Sequence, residues 1–415
     1  MAREAESLFD VAIAGGGFVG LALAAALDRA APGGFKIALI DTADIKDLDA
    51  IGTDPRASAI TAASRHLLEV LGVWPEVADK AQAMRHIDIT DSPLEAAVRP
   101  MLLHFDMALD GAEPAAHMVE NRDLLQALRR HVMGLESVSV FAPYKIISFE
   151  TDGQHAVLEL EGAGRIGARL IAAADGRRSS LRAMAGIKVV GWSYRQIGIA
   201  ATVEHDAPHE GRAVQHFLPA GPFAILPLKG NRSSLVWSER RDRGEAILAD
   251  GKARVQSEIE RRFGPRLGGV RLTGPYGGFP LDMHLARSFI ADRFALIGDA
   301  AHGLHPLAGQ GLNIGLRDVA ALAEVVVETA RLGLDIGGPS TLERYQRWRR
   351  FDSAISGTAM DGLNRLFSND SDGLRVVRAL GLGLVERLPA LKRFFVEEAA
   401  GITGETPRLL RGEPI

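Results

Sequence analysis

The stretch Leu296-Ile-Gly-Asp-Ala-Ala-His-Gly-Leu-His-Pro-Leu-Ala-Gly-Gln-Gly-Leu-Asn-Ile-Gly-Leu-Arg-Asp-Val319 decides how this chain folds. An apolar strand ends at Gly298-Asp299 and a Pro/Gly-rich loop follows. A helix then opens at Gly311-Leu312-Asn313, with apolar residues at helical spacing through Val327. A helix start presents N–H groups without intrahelical partners and a partial positive charge. It therefore suits an anion, or a ring carbonyl that gains electrons. Asp299, at the strand end, is placed to accept hydrogen bonds from a polyol. Anion, polyol and electron-accepting ring together describe a flavin dinucleotide.

The same chemistry opens the chain. Asp10-Val-Ala-Ile-Ala-Gly-Gly-Gly-Phe-Val-Gly-Leu-Ala-Leu-Ala-Ala-Ala-Leu27 reads as a buried strand, the pattern Gly15-x-Gly17-x-x-Gly20, and an Ala/Leu helix. Phe18 and Val19 stand between the last two glycines. A second strand, Lys36-Ile-Ala-Leu-Ile40, ends in Asp41, 21 positions after Gly20, close to the spacing a ribose contact needs. Gly15 permits the tight turn, Gly17 admits a pyrophosphate to the backbone, and Gly20 lets helix pack on strand. The glycines alone are weak evidence, since glycine in an Ala-rich helix also serves packing. Strand, helix, strand and Asp41 together make a dinucleotide unit.

The rest of the chain alternates between this unit and a second one. Asp54-Pro-Arg-Ala-Ser-Ala-Ile60 leads to a helix, Ala62 to Leu71, closed by Gly72; Arg56 could reach a phosphate or ring, or simply cap the surface. Met84 to His104 changes to short alternating runs, which read as strands of another sheet. Val119 to Arg130 reads as a returning helix with Asn121 as its N-cap. Arg122 in its first turn opposes the helix dipole, which calls for an outside partner such as phosphate. Val138 to Leu170 alternates between the turns Asp152-Gly153 and Glu161-Gly162. It runs into Leu170-Ile-Ala-Ala-Ala-Asp175-Gly176 and a helix start, repeating the carboxylate at a strand end. Val189 to Leu281 is strand-rich with one helix, Arg254 to Phe263, and its Trp237 reads as core. Beyond Gly333 the chain is helical. Arg-rich Leu342 to Phe351 and the apolar-striped Leu374 to Val385 and Leu388 to Ala399 read as a cap or dimer surface, or as a membrane-facing amphipathic face.

The expected class is α/β. Residues 1–80, 116–185 and 283–350 form a Rossmann-like dinucleotide domain, 81–115 and 186–282 an inserted β-sheet substrate domain, and 351–415 a C-terminal helical region. With 415 residues, 47% of them hydrophobic, the chain can bury a large core and build two or more domains. A net charge of −4 with only short Arg pairs leaves nucleic-acid binding without support. The absence of cysteine excludes disulfides, thiolate metal sites and a Cys nucleophile, and no metal site is expected. The apolar run Ile13 to Leu27 lies behind acidic residues and continues into a fold motif, so it is not read as a signal peptide. No window approaches the ~20 apolar residues of a membrane span, and a cytoplasmic protein is expected.

Three motifs thus stand in order: Gly15-x-Gly17-x-x-Gly20, Asp175-Gly176-x-x-Ser179-x-x-Arg182, and Gly298-Asp299-Ala-Ala-His302-x-x-His305-Pro306-x-Ala-Gly-Gln-Gly311-x-Asn313. Together they resemble the group A flavoprotein aromatic hydroxylases, the para-hydroxybenzoate hydroxylase fold. Pro306 to Asp318 is similar to the ubiquinone-biosynthesis branch, and the likeness extends to Asp54–Ile60 and Arg387–Gly401, nearly the whole chain. The resemblance implies FAD, with Gly15 to Gly20 on its pyrophosphate, Asp41 on the adenosine ribose and Arg122 on the flavin's phosphate or ribityl region. It places Asp299 on the ribityl hydroxyls and pyrophosphate, and the Gly311, Leu312 and Asn313 amides facing the ring. Asp175 to Arg182 would serve both FAD and the electron donor, NADH or NADPH unless a partner reductase replaces it.

The implied reaction is hydroxylation of a polyprenylated phenol by O2 through a flavin C4a-hydroperoxide, with the protein excluding water and orienting the ring. His305 and Pro306 would line the pocket over the flavin. His305 would help deprotonate the phenol, or serve only as a packed loop histidine. Other ubiquinone-biosynthesis proteins, a peripheral contact with the inner membrane and a homo-oligomer are open as partners. Hydroxylation of another aromatic, an isoprenoid reductase or cyclase, and a non-catalytic FAD-binding subunit are the competing readings. The Asp175–Arg182 motif argues against the reductase or cyclase, and the intact cofactor motifs against the subunit.

Overall fold

A computed structural model describes residues 7–48, 51–94, 99–303, 311–350 and 385–415. The apolar run that precedes the first glycine motif forms the strand Ser7–Ala14, whose last four residues are buried. It lies inside an eight-stranded sheet, where near-continuous apolar sequence is what a parallel strand covered on both faces requires. Ile37–Ile40 and Gly164–Ala173 flank it in parallel, Val138–Phe141 extends the sheet beyond Ile37–Ile40, and Phe294–Leu296 extends it beyond Gly164–Ala173. Ile146–Thr151 and Ala156–Leu160 add an antiparallel hairpin.

Register decides what this sheet does. Ala14 pairs with both Ile40 and Ala173, and Ala173 pairs with Leu296. Four strands therefore end level, and the residues that leave them are Gly15, Asp41, Ala174-Asp175 and Ile297-Gly298. Open α/β sheets bind ligands at this carboxyl edge. The helices Phe18–Ala30 and Gly311–Arg331 pack on each other beneath it, and Asn121–Met133 packs beside the first.

A second eight-stranded sheet runs His302–Gly303, Val270–Ala286, Val189–His205, Arg232–Arg240, Gly221–Leu228, Arg212–Leu218, His86–Asp91, Met101–Asp106. Its first strand is the continuation of the Gly298-Asp299 turn, so the two sheets are joined at that turn. One face buries Ile199, Leu235 and Trp237 against the helices Arg241–Ala249 and Lys252–Phe263. The other face sets Ala213 and Leu228 against Ala59, Met84 and Met118 of a small sheet of Ala57–Thr61, Ala116–Glu120 and Gln82–Met84. Trp237 is buried in the core.

Three local expectations change. Val119 and Glu120 belong to the strand Ala116–Glu120, because they pair with Ser58 and Ala57; the helix begins at Asn121, with Glu120 in the N-cap position. Arg241–Ala249 is a helix where none was expected. Its Gly244 argues against a helix locally, yet a Cβ there would lie 2.2 Å from Ile197 Cγ2, so close helix–sheet contact demands glycine. The C-terminal helix spans Pro389–Ala400, and its Phe395 ring meets Phe105 at 6.4 Å. The stripe from Leu374 falls outside the described residues apart from Val385. Among the described residues no helix is long and apolar enough to cross a membrane.

Candidate active site

The glycine loop is shaped by steric exclusion. Gly15 holds φ +112°, and a Cβ there would sit 2.3 Å from Ala174 O, so only glycine fits. A Cβ at Gly20 would lie 1.9 Å from Gly15 O, which is how closely helix and loop approach. Gly17 faces open space, and no side chain caps the helix it starts. Its first-turn N–H groups are left for an anion. Asp41 braces the loop by accepting from Gly16 N (2.5 Å) and Ala43 N (2.7 Å). A carboxylate has about four acceptor positions, so capacity remains for a ribose hydroxyl. Phe18 packs against the core beside it. Val19 points at the third motif and the helix that follows it: Cβ atoms placed on Gly298 and Gly315 would lie 3.0 Å and 2.8 Å from its Cγ2. Small residues at 298 and 315 thus let the first helix, the turn and the long helix converge.

The turn Gly298–Ala300 is held by its backbone. Gly298 adopts φ +60°, and its N–H donates to Asp318 Oδ2 at 2.8 Å. His284 Nε2 meets Asp299 O at 2.9 Å, and Arg182 Nη1 donates to Ala300 O at 2.7 Å. Three side chains from three distant segments thus grip three consecutive residues. The Asp299 carboxylate itself is exposed and makes no hydrogen bond among the described residues. Burial, partly offset by the contact with Asp299 O, holds the His284 imidazole below its ordinary range, which favours the neutral ring as donor.

Arg182, expected on the cofactor, spends its guanidinium on Ala300 O and Arg177 O, so it ties the second motif to the third. Asp175 Oδ2 accepts from Leu181 N at 3.2 Å, while Ser179 Oγ caps the same short helix at Arg182 N, 2.9 Å. Asp175 Oδ1 is buried with no hydrogen-bond partner among the described residues, an acceptor open to a further donor. Gly176 makes the turn between them at φ +79°.

Asn313 is occupied too. Its Nδ2 donates to Ala59 O at 2.7 Å and its Oδ1 accepts from Thr61 N at 3.1 Å, stapling the long helix to the small sheet. Gly311 and Leu312 start the same helix, and the Leu312 side chain packs against the core. Arg56 is bidentate to Asp54 and stacks over Phe279 of the second sheet at 4.6 Å; the Asp54 hydrogen bonds hold its guanidinium above its ordinary value. Asn121 N donates to Arg56 O at 3.1 Å, which brings Arg122 beside Arg56. Asn121 does not cap its helix; its side chain links Ser58 and Asp54. Arg122 is exposed and has no ion pair among the described residues. His305 and Pro306 lie outside the described residues.

This donor set fits a flavin dinucleotide: an open glycine at an uncapped helix start, an orphaned buried carboxylate oxygen, and an exposed carboxylate on a rigid turn. Asp318, His284 and Arg349 had no assigned role in the sequence reading. A signal existed for Asp318, since it shares the buried stripe of Gly315, Val319 and Leu322, where a carboxylate is out of place.

Residues 9–352 match a family model described as an FAD binding domain. Over 415 positions the chain is 44% identical to the ubiquinone hydroxylase UbiL of Rhodospirillum rubrum, covering 99% of this chain and 95% of that protein. Over 395 positions it is 38% identical to the 3-demethoxyubiquinol 3-hydroxylase of Escherichia coli, covering 95% and 98%. The p-nitrophenol 4-monooxygenase PnpA of Pseudomonas putida DLL-E4 shares the fold, with a TM-score of 0.80 at 20% identity over 96% of this chain and 99% of that one. Motifs, carboxyl-edge geometry and these relatives agree that the chain belongs to the FAD-binding family of group A aromatic-hydroxylase type, and that it is a flavoprotein monooxygenase.

Proposed function

We propose that this protein hydroxylates the aromatic ring of a polyprenylated phenol in ubiquinone biosynthesis, using FAD, O2 and electrons from NADH or NADPH. The observation that carries this reading is similarity over 99% of the chain to an enzyme named a ubiquinone hydroxylase. FAD, when bound and reduced, supplies the activation of O2 for transfer of one oxygen atom to the ring. The chain's residues would hold it in place. Gly15 to Gly20 would take the pyrophosphate, Asp41 the adenosine ribose, Asp299 the ribityl hydroxyls, and Arg56 with Arg122 the phosphate side. The Gly311, Leu312 and Asn313 amides would face the ring carbonyls, where fixed donors stabilise developing negative charge. Asp175 Oδ1 would accept from FAD or the nicotinamide donor. His305 and Pro306, between the turn and the long helix in sequence, would line the pocket over the flavin, with His305 helping to deprotonate the phenol.

Residues 81–115 and 186–282 form the substrate domain in this reading, supported by the pairing of His86–Asp91 with Arg212–Leu218. A substrate with a polyprenyl tail calls for access from lipid. Leu388, Phe394 and Phe395 are exposed at the C-terminal helix and support a peripheral contact with the inner membrane of a cytoplasmic protein. Mass spectrometry of prenylated quinone precursors in a strain lacking this protein tests the assignment. Loss of ubiquinone with build-up of a precursor one oxygen short is expected and names the ring position. Unchanged quinones, in a strain with no second hydroxylase for the step, would overturn it.

A further inference from the structure

We propose that Asp318 is a positioning residue for FAD, setting the Gly298–Ala300 turn so that the Asp299 carboxylate faces the cofactor. The proposal rests on the FAD assignment and is independent of which phenol is hydroxylated.

Asp318 is fully buried on the helix Gly311–Arg331. Its Oδ2 accepts from Gly298 N at 2.8 Å and from His302 Nε2 at 2.7 Å. Its Oδ1 accepts from Arg349 Nε at 2.7 Å. One carboxylate oxygen thus holds the chain one residue before Asp299 and three residues after it. Burial pushes this carboxyl up, but His302 and Arg349 outweigh the burial and keep it below its ordinary value, so it is an anion throughout the working range.

Stability does not account for this arrangement. A buried ion pair is often matched or bettered by apolar residues of similar volume, because desolvation offsets the Coulombic gain. Leu316, Val319 and Ala320, its neighbours along the helix, are buried in the apolar core. What an apolar residue cannot supply is an acceptor for Gly298 N, which sits at positive φ in a turn that must not rotate. The carboxylate is aimed at that backbone, and Arg349 supplies its counter-charge from behind.

The test uses full-length apoprotein titrated with FAD, reading flavin fluorescence for affinity and circular dichroism for the melting temperature. Asp318→Leu with Arg349→Met removes the acceptor together with the cation bound to its Oδ1. FAD affinity is expected to fall at least tenfold while the apoprotein melts within a few degrees of wild type. Asp318→Asn with Arg349→Met returns an oxygen to Gly298 N and is expected to recover most of the affinity. Unchanged affinity in the Leu variant overturns the proposal, as does an equal loss in the Asn variant. Should the Leu variant not fold, His302→Phe decides: it frees one end of the turn, and FAD binding as tight as wild type overturns the proposal. Wild-type apoprotein that takes up no FAD overturns the cofactor assignment and this role with it, whereas failure of the quinone assay leaves both standing.

Discussion

Behind the second sheet, Arg262 lies buried between Glu239 and Glu258, its guanidinium 4.0 Å over the Trp237 ring. Behind the first, Asp318 lies buried between His302 and Arg349. Both networks centre on a charged side chain that is almost completely buried. They differ in what they touch. Glu258 collects Arg243, Arg254, Arg261 and Arg262, all from its own helix pair, and Glu239 joins that pair to the sheet. Asp318 spends one carboxylate oxygen on the backbone of the Gly298–Ala300 turn and on His302 just after it. A buried ion network therefore announces nothing by itself; its reach into a functional backbone is what distinguishes the two.

The comparison is broken most severely at Arg262. Arg262→Ala leaves Glu239 and Glu258 buried without their central cation and opens a void against Trp237, so a loss of about 3–5 kcal/mol is expected. Denaturant unfolding measures that loss. FAD affinity of the fraction that remains folded should equal wild type, because among the described residues no ion pair of Arg262 reaches the turn. A parallel fall in FAD affinity would mean the two networks are coupled.

Acid sharpens the contrast at intermediate size. His216, in the second sheet, is pushed down from 6.5 to about 4 by burial and by Arg99. His117, in the small sheet, is pushed to about 4 by burial and by Arg65. Between those values the unfolded chain binds protons that the folded chain refuses, so stability is full above pH 6.5 and falls as the pH drops toward 4. Each group contributes a slope of up to about 1.4 kcal/mol per pH unit. His216→Gln should flatten the urea-midpoint slope by one proton's worth. The Asp318 and Glu258 networks, whose carboxylates are held low, begin to fail only at more acid pH.

The smallest effect is expected at Arg56, which joins the two sheets at the surface through Asp54 and Phe279. Half-exposed ion pairs and cation–π contacts contribute about 0–1 kcal/mol each. Arg56→Gln should therefore leave the melting temperature nearly unchanged while weakening FAD binding severalfold in the same titration. A large stability loss would make Arg56 a domain latch instead.

Legibility followed the range of the signal. Gly15, Asp41, Asp175 and Gly298-Asp299 were readable because strand end, turn and helix start are encoded within about twenty residues. Helix starts slipped where pairing overrode local pattern, as at Val119-Glu120. The helix Arg241–Ala249 was missed because its glycine answers to Ile197, 47 residues earlier in the chain. Arg182 and Asn313 were recognised as belonging to the site. Their work was not: Arg182 binds Ala300 O across 118 residues, and Asn313 binds Ala59 O across 254.

By itself, then, the sequence determined the local grammar: which strands end in glycine or carboxylate, which helix starts are left uncapped, and hence that a flavin dinucleotide is bound. Only the tertiary structure decided which of those side chains are spent on the chain's own backbone and which stay open at the carboxyl edge. The level register of Ala14, Ile40, Ala173 and Leu296 brings the motifs to one edge. There the Asp299 side chain makes no hydrogen bond among the described residues, while Asp318, His284 and Arg182 hold the backbone of Gly298, Asp299 and Ala300. A hydrogen-bonding group's partner depends on which strands are neighbours, and neighbourhood across hundreds of residues leaves no mark in local spacing.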